Sequence, residues 1–153
     1  MTAVVLAADP GSTCGFCLLA PGCVPLVYAC NHAAAYGLAC FLIEANDGPA
    51  TMICAGEAFV PGRGAGARQA GAAVTRALIA DLSDLTGWHW RSAAMVKPWA
   101  RLRLKAAGLY DVTAKTADGR DAAMHAIFAG VHDCGWPDPL SKDGPAFWKG
   151  MTA

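Results

Sequence analysis

The feature that most constrains the fold is a short apolar run over residues 4–8 that stops abruptly at an acid. The run is rich in aliphatic side chains, and the residues after it, Asp9-Pro10-Gly11-Ser12, form a turn signature. This pattern predicts a short buried strand with a carboxylate at its end. Because an unpartnered carboxylate is costly to bury, we expect Asp9 to meet a metal ion or a cationic side chain.

The rest of the chain alternates between strand-like and helix-like patterns. Strands are predicted at residues 4–8, 16–20, 24–30, 51–55 and 88–91, and helices at 32–45, 67–85, 97–107 and 118–131. Asn31 is a candidate N-cap for the first helix, and Pro98 marks the expected start of the third. Three antiparallel strands followed by alternating helix and strand predict an α/β fold, with a mixed five-stranded sheet and helices on both faces.

Length and composition favour one globular domain over residues 1–153. The chain is 55% apolar and 16% charged, which excludes a disordered protein. No apolar run reaches the roughly 18 residues of a membrane span, so we expect a cytoplasmic protein with no membrane partner. Residues 133–153 lack periodicity, which indicates an irregular or packed C-terminal extension.

The cysteines predict packing rather than bonding. There are seven, an odd number, and their spacing does not suggest a disulfide framework. Cys14 and Cys17 form a C-x-x-C, but a zinc site needs two further ligands at matching spacing. We therefore expect the cysteines to behave as small hydrophobic residues.

Charge is segregated along a chain whose net charge is zero. Residues 1–62 carry four acids and no base, whereas residues 63–120 carry ten bases and four acids, a net charge of +6. Such a segment forms either a phosphate-binding face or a set of solvated helix faces. Charge alone leaves both interpretations open.

Three further acids occupy positions where a carboxylate can carry chemistry. Glu57 follows the predicted strand at 51–55, while Asp118 and Asp121 lie three residues apart on one face of the last helix. If the first and fourth strands are neighbours, Asp9 and Glu57 converge, and the four acids can hold hard divalent cations. The alternative is ordinary helix-start chemistry, with Asp118 as the N-cap and Asp121 as a first-turn acid.

Four motifs in order resemble the RuvC family of Holliday junction resolvases, over residues 4–131. Asp9-Pro10-Gly11-Ser12 followed by Gly15-Phe16 resembles the family's opening hairpin. Ala55-Gly56-Glu57 resembles the segment with its catalytic glutamate, and residues 66–72 resemble its long helix. Asp118-Gly119-Arg120-Asp121-Ala122 resembles its closing D-x-x-D-A motif.

The resemblance implies a ribonuclease H-like fold and an endonuclease that resolves four-way DNA junctions by paired phosphodiester hydrolysis. It implies a homodimer and Mg²⁺ or Mn²⁺, two ions per active site, with no nucleotide cofactor. The implied metal ligands are Asp9, Glu57, Asp118 and Asp121. Val96-Lys97 resembles a family dipeptide whose lysine contacts DNA near the scissile phosphate, which adds Lys97 to the catalytic candidates. The short chain suggests a bacteriophage source, with the protein acting in a bacterial host cell.

Further DNA-binding candidates lie in the basic segment. Arg63 and Arg68 flank a glycine-rich loop that lacks the Lys-Ser/Thr of a nucleotide-binding P-loop. Arg101 is a candidate phosphate contact. The resemblance calls for a second lysine before the last acids, and Lys105 and Lys115 both remain open for that role.

Two residues near the acids have open roles. Phe59 stands two residues after Glu57, whereas the family has a junction-wedging aromatic three residues after its glutamate. A wedge that contacts DNA and a core side chain are therefore both open for Phe59. His125 follows Asp121 by four residues, and we interpret it as a packed core histidine rather than a group that orients a metal ligand.

Three alternative functions fit parts of the same pattern. An RNA-processing nuclease of the RuvX type shares the early acid-containing turn and would prefer RNA. Asp9 to Thr13 also resembles the phosphate motif of actin-like sugar kinases, which need a second half that this chain lacks. A module that binds junctions without cutting them is disfavoured, because four acids would repel phosphates without benefit.

Overall fold

The computed structural model describes residues 3–46, 52–59 and 67–152. In this part of the chain the strands are β1 (Val4–Asp9), β2 (Thr13–Leu19), β3 (Leu26–Asn31), β4 (Met52–Glu57) and β5 (Trp88–Arg91). They form one sheet in the order β3-β2-β1-β4-β5. β1 is antiparallel to β2 and parallel to β4, and β5 continues the parallel half. The predicted mixed five-stranded sheet is therefore confirmed.

The helices are α1 (His32–Glu44), α2 (Ala67–Leu85), α3 (Ala93–Ala106), α4 (Ala117–His132) and α5 (Gly144–Trp148). As predicted, Asn31 caps α1, since its side chain accepts a hydrogen bond from the Ala34 amide at 3.0 Å. The predicted start of α3 near Pro98 is wrong. The Ser92 hydroxyl accepts a hydrogen bond from the Met95 amide at 3.3 Å and satisfies the first turn. Pro98 lies inside the helix, where it removes only one backbone hydrogen bond.

The sheet separates two hydrophobic cores, which confirms helices on both faces. One core packs α3, α4 and the C-terminal segment on the sheet, around Val5, Leu19, Val96, Leu104, Met124 and Ile127. The other packs α1 and α2 on the opposite face, around Leu6, Phe16, Leu42, Leu78 and Leu82. None of the described helices is long and apolar enough to cross a membrane.

The C-terminal segment packs into the first core rather than trailing from it. After α4 it contributes α5 and a short 3-10 turn, Lys149–Met151. Trp148 is 1% exposed, and its indole Nε1 donates a hydrogen bond to the Pro137 carbonyl at 2.8 Å. Of the two interpretations of this segment, irregular or packed, the structure has the packed one.

All seven cysteines are free thiols, and Cys14, Cys17 and Cys54 are buried. Burial raises the pKa of the Cys17 thiol from 9.0 to about 12, so it stays protonated and unreactive at neutral pH. Cys14 and Cys17 lie in β2 and contribute to opposite cores. The packing role expected of the cysteines is confirmed for these buried thiols, whereas Cys23 is exposed.

Candidate active site

The sheet brings two acids to one edge. β1 and β4 are parallel neighbours, with Ala8 opposite Gly56. The last residues of these strands, Asp9 and Glu57, therefore meet at the carboxyl edge of the sheet, where open α/β sheets bind their ligands.

A glycine in β2 brings α4 to the same edge. Gly15 pairs with Asp9, and a Cβ at Gly15 would overlap the carbonyl of Asp118 and lie 2.7 Å from the Gly119 nitrogen. Only glycine allows this close approach. Thr116 caps α4 by accepting a hydrogen bond from the Gly119 amide at 2.9 Å, so Asp118 is not the N-cap. This close contact places the N-terminal end of α4, which contains Asp118 and Asp121, beside the carboxyl edge of the sheet.

Three carboxylates converge at this edge. Asp9, Glu57 and Asp121 each offer an oxygen, and these oxygens all lie within 4.8 Å of one another. All three side chains are partly exposed, so the cluster is open to solvent and substrate. A set made only of carboxylate oxygens suits hard divalent cations such as Mg²⁺ or Mn²⁺.

Lys97 of α3 lies between two of these acids. Its Nζ is 2.7 Å from Glu57 Oε2 and 2.7 Å from Asp121 Oδ2. Burial favours the neutral amine, but hydrogen bonds to the two carboxylates outweigh that effect and raise the pKa of Lys97. Lys97 is therefore a positive charge held inside the cluster, and its catalytic role stays a prediction.

One positive side chain does not balance the cluster. Burial and the charge of Glu57 raise the pKa of Asp9 from 3.8 to about 7; the positive charge of Lys97 opposes this rise without offsetting it, and Asp121 and Asp118 add to it. Burial also acts to raise the pKa of Glu57, but His125 and Lys97 lower it from 4.5 to about 2. Glu57 is therefore ionised at neutral pH, whereas Asp9 is only partly ionised there, and a bound cation would favour its ionised form. The residues present fit a bound divalent cation.

His125 belongs to the site as well as to the core. It is 2% exposed, and its Nε2 lies 3.5 Å from Glu57 Oε2, longer than a good hydrogen bond. Among the described residues this buried nitrogen has no hydrogen-bond partner. The interpretation of His125 as a buried residue is confirmed. Its position one helical turn after Asp121, on the same face, is what brings it near Glu57.

Asp118 is close to the cluster but is not part of the converging set. It lies in the first turn of α4, where its negative charge contributes to the raised pKa of Asp9. The group of acids whose oxygens lie within 4.8 Å contains Asp121 and not Asp118. The role of Asp118 as a metal ligand stays a prediction.

The remaining candidates lie around this edge or outside the described part. Phe59 is partly buried at the wall of a hollow of about 400 Å³ beside Glu57, and the Arg76 guanidinium lies 5.4 Å from its ring centroid. The side chains of Arg101, Lys105 and Lys115 are exposed. The loop residue Arg63 and the side chain of Arg68 lie outside the described residues.

Known structures share this architecture. A structure of Thermus thermophilus RuvC is similar to this chain with a TM-score of 0.61, 13% sequence identity and coverage of 86% of this chain and 97% of that one. A second structure, of T. thermophilus RuvC in complex with Holliday junction substrate, has a TM-score of 0.60, 12% identity and coverage of 81% and 90%. No family model and no curated protein matches the sequence. The fold is therefore RuvC-like, as the motifs predicted.

The metal-free protein is expected to lose stability as pH rises through 7. The pKa of Asp9 in the folded protein, about 7, lies above its ordinary value of 3.8, so the neutral carboxyl favours folding. This contribution is complete below pH 3.8 and is lost as pH rises through about 7. Mg²⁺ at about 100 times its Kd should add about 2.7 kcal/mol at high pH, or roughly 5–10 °C in Tm. Thermal unfolding across this range, with and without Mg²⁺, measures both effects.

The matched variant is Asp9→Asn, which keeps the shape of the side chain and cannot titrate. Its Tm should change less with pH above 6, and Mg²⁺ should stabilise it less than the wild type. Equal pH and Mg²⁺ responses in the two proteins would show that Asp9 is not the carboxyl group whose pKa is raised in the folded protein.

Proposed function

We propose that this chain is a metal-dependent endonuclease that cuts branched DNA, with four-way junctions as its substrate, by paired phosphodiester hydrolysis. The observation that supports this most strongly is the convergence of Asp9, Glu57 and Asp121 around Lys97 on a RuvC-like fold. The neighbour bound to Holliday junction substrate supports the choice of DNA form. Two copies of the chain, forming a homodimer, would make the two nicks.

The carboxylates are the metal-binding part of the proposed site. Asp9, Glu57 and Asp121 would hold Mg²⁺ or Mn²⁺, with Asp118 as the fourth ligand and two ions per site. When bound, such ions activate a water and stabilise the oxygen that leaves the phosphorus. The carboxylates would bind and orient the ions, and their partial exposure leaves the cluster open to a substrate.

The other side chains act on charge and orientation. The Lys97 ammonium, held by Glu57 and Asp121 at 2.7 Å each, lies where it can stabilise negative charge that develops on the phosphate. His125 is buried in the core with its Nε2 3.5 Å from Glu57 Oε2, so its ring lies against one side of that carboxylate. We assign His125 a positioning role.

The direct test is cleavage of an end-labelled four-way DNA junction, with a duplex of equal length as the matched substrate. We expect symmetric nicks on the junction with Mg²⁺ or Mn²⁺ and none with a chelator. Equal cutting of forks and flaps would broaden the substrate to branched DNA in general. Cutting of RNA alone would replace the proposal with RNA processing, and failure of folded protein to cut any of these with either metal would overturn it.

Lys97→Ala is expected to lower the cleavage rate more than DNA affinity. Removal of one donor to a developing oxyanion lowers kcat by about 10²–10³-fold, whereas loss of one phosphate contact raises Kd only on the order of fivefold. Single-turnover cleavage at saturating protein and binding in Ca²⁺ separate the two quantities. Lys149→Ala, which alters an exposed lysine of the C-terminal segment, is the control. An unchanged rate would remove Lys97 from the chemistry.

A further inference from the structure

The cationic side chains of this part of the fold are of two kinds: some form ion pairs with carboxylates, and others do not. Arg91, Arg103 and Lys97 form ion pairs with carboxylates at 2.7–2.8 Å. Among the described residues, no carboxylate lies within ion-pair distance of Arg101 or Lys105. Both side chains are exposed. Their charge is therefore available to a ligand from solution.

α3 carries these cations in one line. Lys97, Arg101 and Lys105 follow one another at four-residue spacing, so they lie on one flank, each about 6 Å further along the helix. The adjoining face of α3 is buried through Val96, Ala100 and Leu104. We call the line of three cations the basic flank. It starts inside the carboxylate cluster, at Lys97.

The two flanks of α3 contact different ends of α4. On the other flank, the Trp99 ring lies 4.9 Å from the rings of Phe128 and His132, in the C-terminal half of α4. On the basic flank, Lys97 pairs with Asp121 in the N-terminal half. The basic flank therefore lies on the side of α3 that faces the acid-bearing end of α4.

The far end of the basic flank meets another cation. The Lys105 ammonium lies 4.9 Å from the centroid of the Tyr110 ring, and the Arg120 guanidinium lies 4.1 Å from the same centroid. The buried Nε of Arg120 has no hydrogen-bond partner among the described residues. Two positive groups around one ring concentrate charge at this end.

Shallow hollows run along the basic flank. One of about 410 Å³ is lined by Lys97, Arg101 and the start of α3. Another of about 370 Å³ is lined by Lys105, Gly108, Tyr110 and Asp111, where Asp111 is the one acid of that lining. The surface therefore has two separate hollows beside the three cations, one at each end of the basic flank.

We propose that the basic flank binds successive phosphates of the DNA strand whose scissile phosphate lies at the carboxylates. This inference rests on the proposed nuclease function and adds the path of the strand. The flank spans about 12 Å, a length over which one strand presents about three to four phosphates along the duplex axis. Lys97 contacts the scissile phosphate, and Arg101 and Lys105 contact phosphates progressively further from it.

The test measures junction binding in the Asp9→Asn background, so that cleavage does not interfere. Arg101→Gln and Lys105→Gln should each reduce the slope of log affinity against log salt by about 0.9, and the double variant by about twice that. Kd should rise on the order of fivefold for each substitution. Lys149→Gln is the charge-matched control and should change neither. A Cβ added at its neighbour Gly150 would lie 3.5 Å from the Cα of Gly22, in the turn after β2 at the opposite end of the sheet.

Neutral methylphosphonate linkages, placed one at a time along the cut strand, identify the contacts. A neutral linkage at the phosphate that Arg101 contacts should weaken binding by the protein that retains Arg101. The same linkage should cause no further loss of affinity in Arg101→Gln, which already lacks that contact. A different linkage should behave this way for Lys105→Gln, further from the scissile phosphate on the same side. Linkages that weaken binding equally in all variants would overturn the proposal that the basic flank binds this strand.

The outcomes separate this inference from the proposed function. A wild-type protein that cuts junctions, together with variants whose salt slopes are unchanged, overturns the basic flank alone. Reduced slopes in a protein that cuts no substrate leave the flank as a DNA-binding surface and overturn the nuclease proposal alone.

Discussion

Replacement of Asp9 by asparagine is expected to reduce junction cleavage by about 10³-fold or more while leaving junction binding almost unchanged. The carboxylate supplies charge for metal binding, and loss of that metal chemistry removes several kcal/mol of transition-state stabilisation. Asparagine has the same shape, and it removes repulsion from Glu57, so the fold should not suffer. Single-turnover cleavage and binding in Ca²⁺ measure the two effects.

Asp84→Asn is the matched control for this experiment. Asp84 is an exposed acid of α2, a helix that packs on the opposite face of the sheet, so the same change of charge should leave cleavage intact. If Asp9→Asn loses binding as well as cleavage, with an unfolded circular dichroism spectrum, the acid is structural. Residual cleavage near the wild-type rate would remove Asp9 from the metal site.

Gly15→Ala is expected to reduce cleavage by about 10²-fold or more, although it removes no functional group. The added methyl group would overlap the Asp118 carbonyl, so α4 must move away from β2 and carry Asp121 away from Asp9. Displacements of about 1 Å at an active site cause losses of this size. Overpacking should also lower the free energy of unfolding by about 1–3 kcal/mol. Cleavage under single turnover and chemical denaturation measure both quantities.

Gly37→Ala shows what the same substitution does where there is space. Gly37 lies in the exposed middle of α1, and beyond its own helix backbone no atom of the described residues lies within 4 Å of the added Cβ position. Alanine should stabilise the helix by about 0.5–1 kcal/mol and leave cleavage unchanged. Wild-type cleavage by Gly15→Ala would show that the site does not depend on this close approach.

The sequence predicted the parts of the site that depend on local pattern. Asp9 and Glu57 are each at the end of a short apolar run, and parallel neighbouring strands carry such residues to one edge. Lys97 was found through a family dipeptide rather than through geometry. Its contact with Glu57 joins residues 40 positions apart and depends on how α3 packs against the sheet.

Other features depend on tertiary packing and were not readable from local pattern. The three-residue spacing of Asp118 and Asp121 puts both on one helix face, but only the approach of α4 to Gly15 selects Asp121 for the converging group. The start of α3 was predicted too late because Pro98 fits the first turn of a helix as well as the interior position it has here, and the N-cap Ser92 lies six residues earlier. The sequence left open whether the C-terminal segment packs against the core, because the stretch around Trp148 has neither helical nor strand periodicity.

The separation of the two cores by the sheet also defines where this protein can be redesigned. Residues such as Leu78 and Leu82 pack only in the core of α1 and α2, on the face away from α4. Substitutions there that raise heat resistance should add to substitutions in the other layer, because distant sites without shared partners act independently. An engineer can therefore alter one complete layer of the molecule while the edge that carries the carboxylates keeps its geometry.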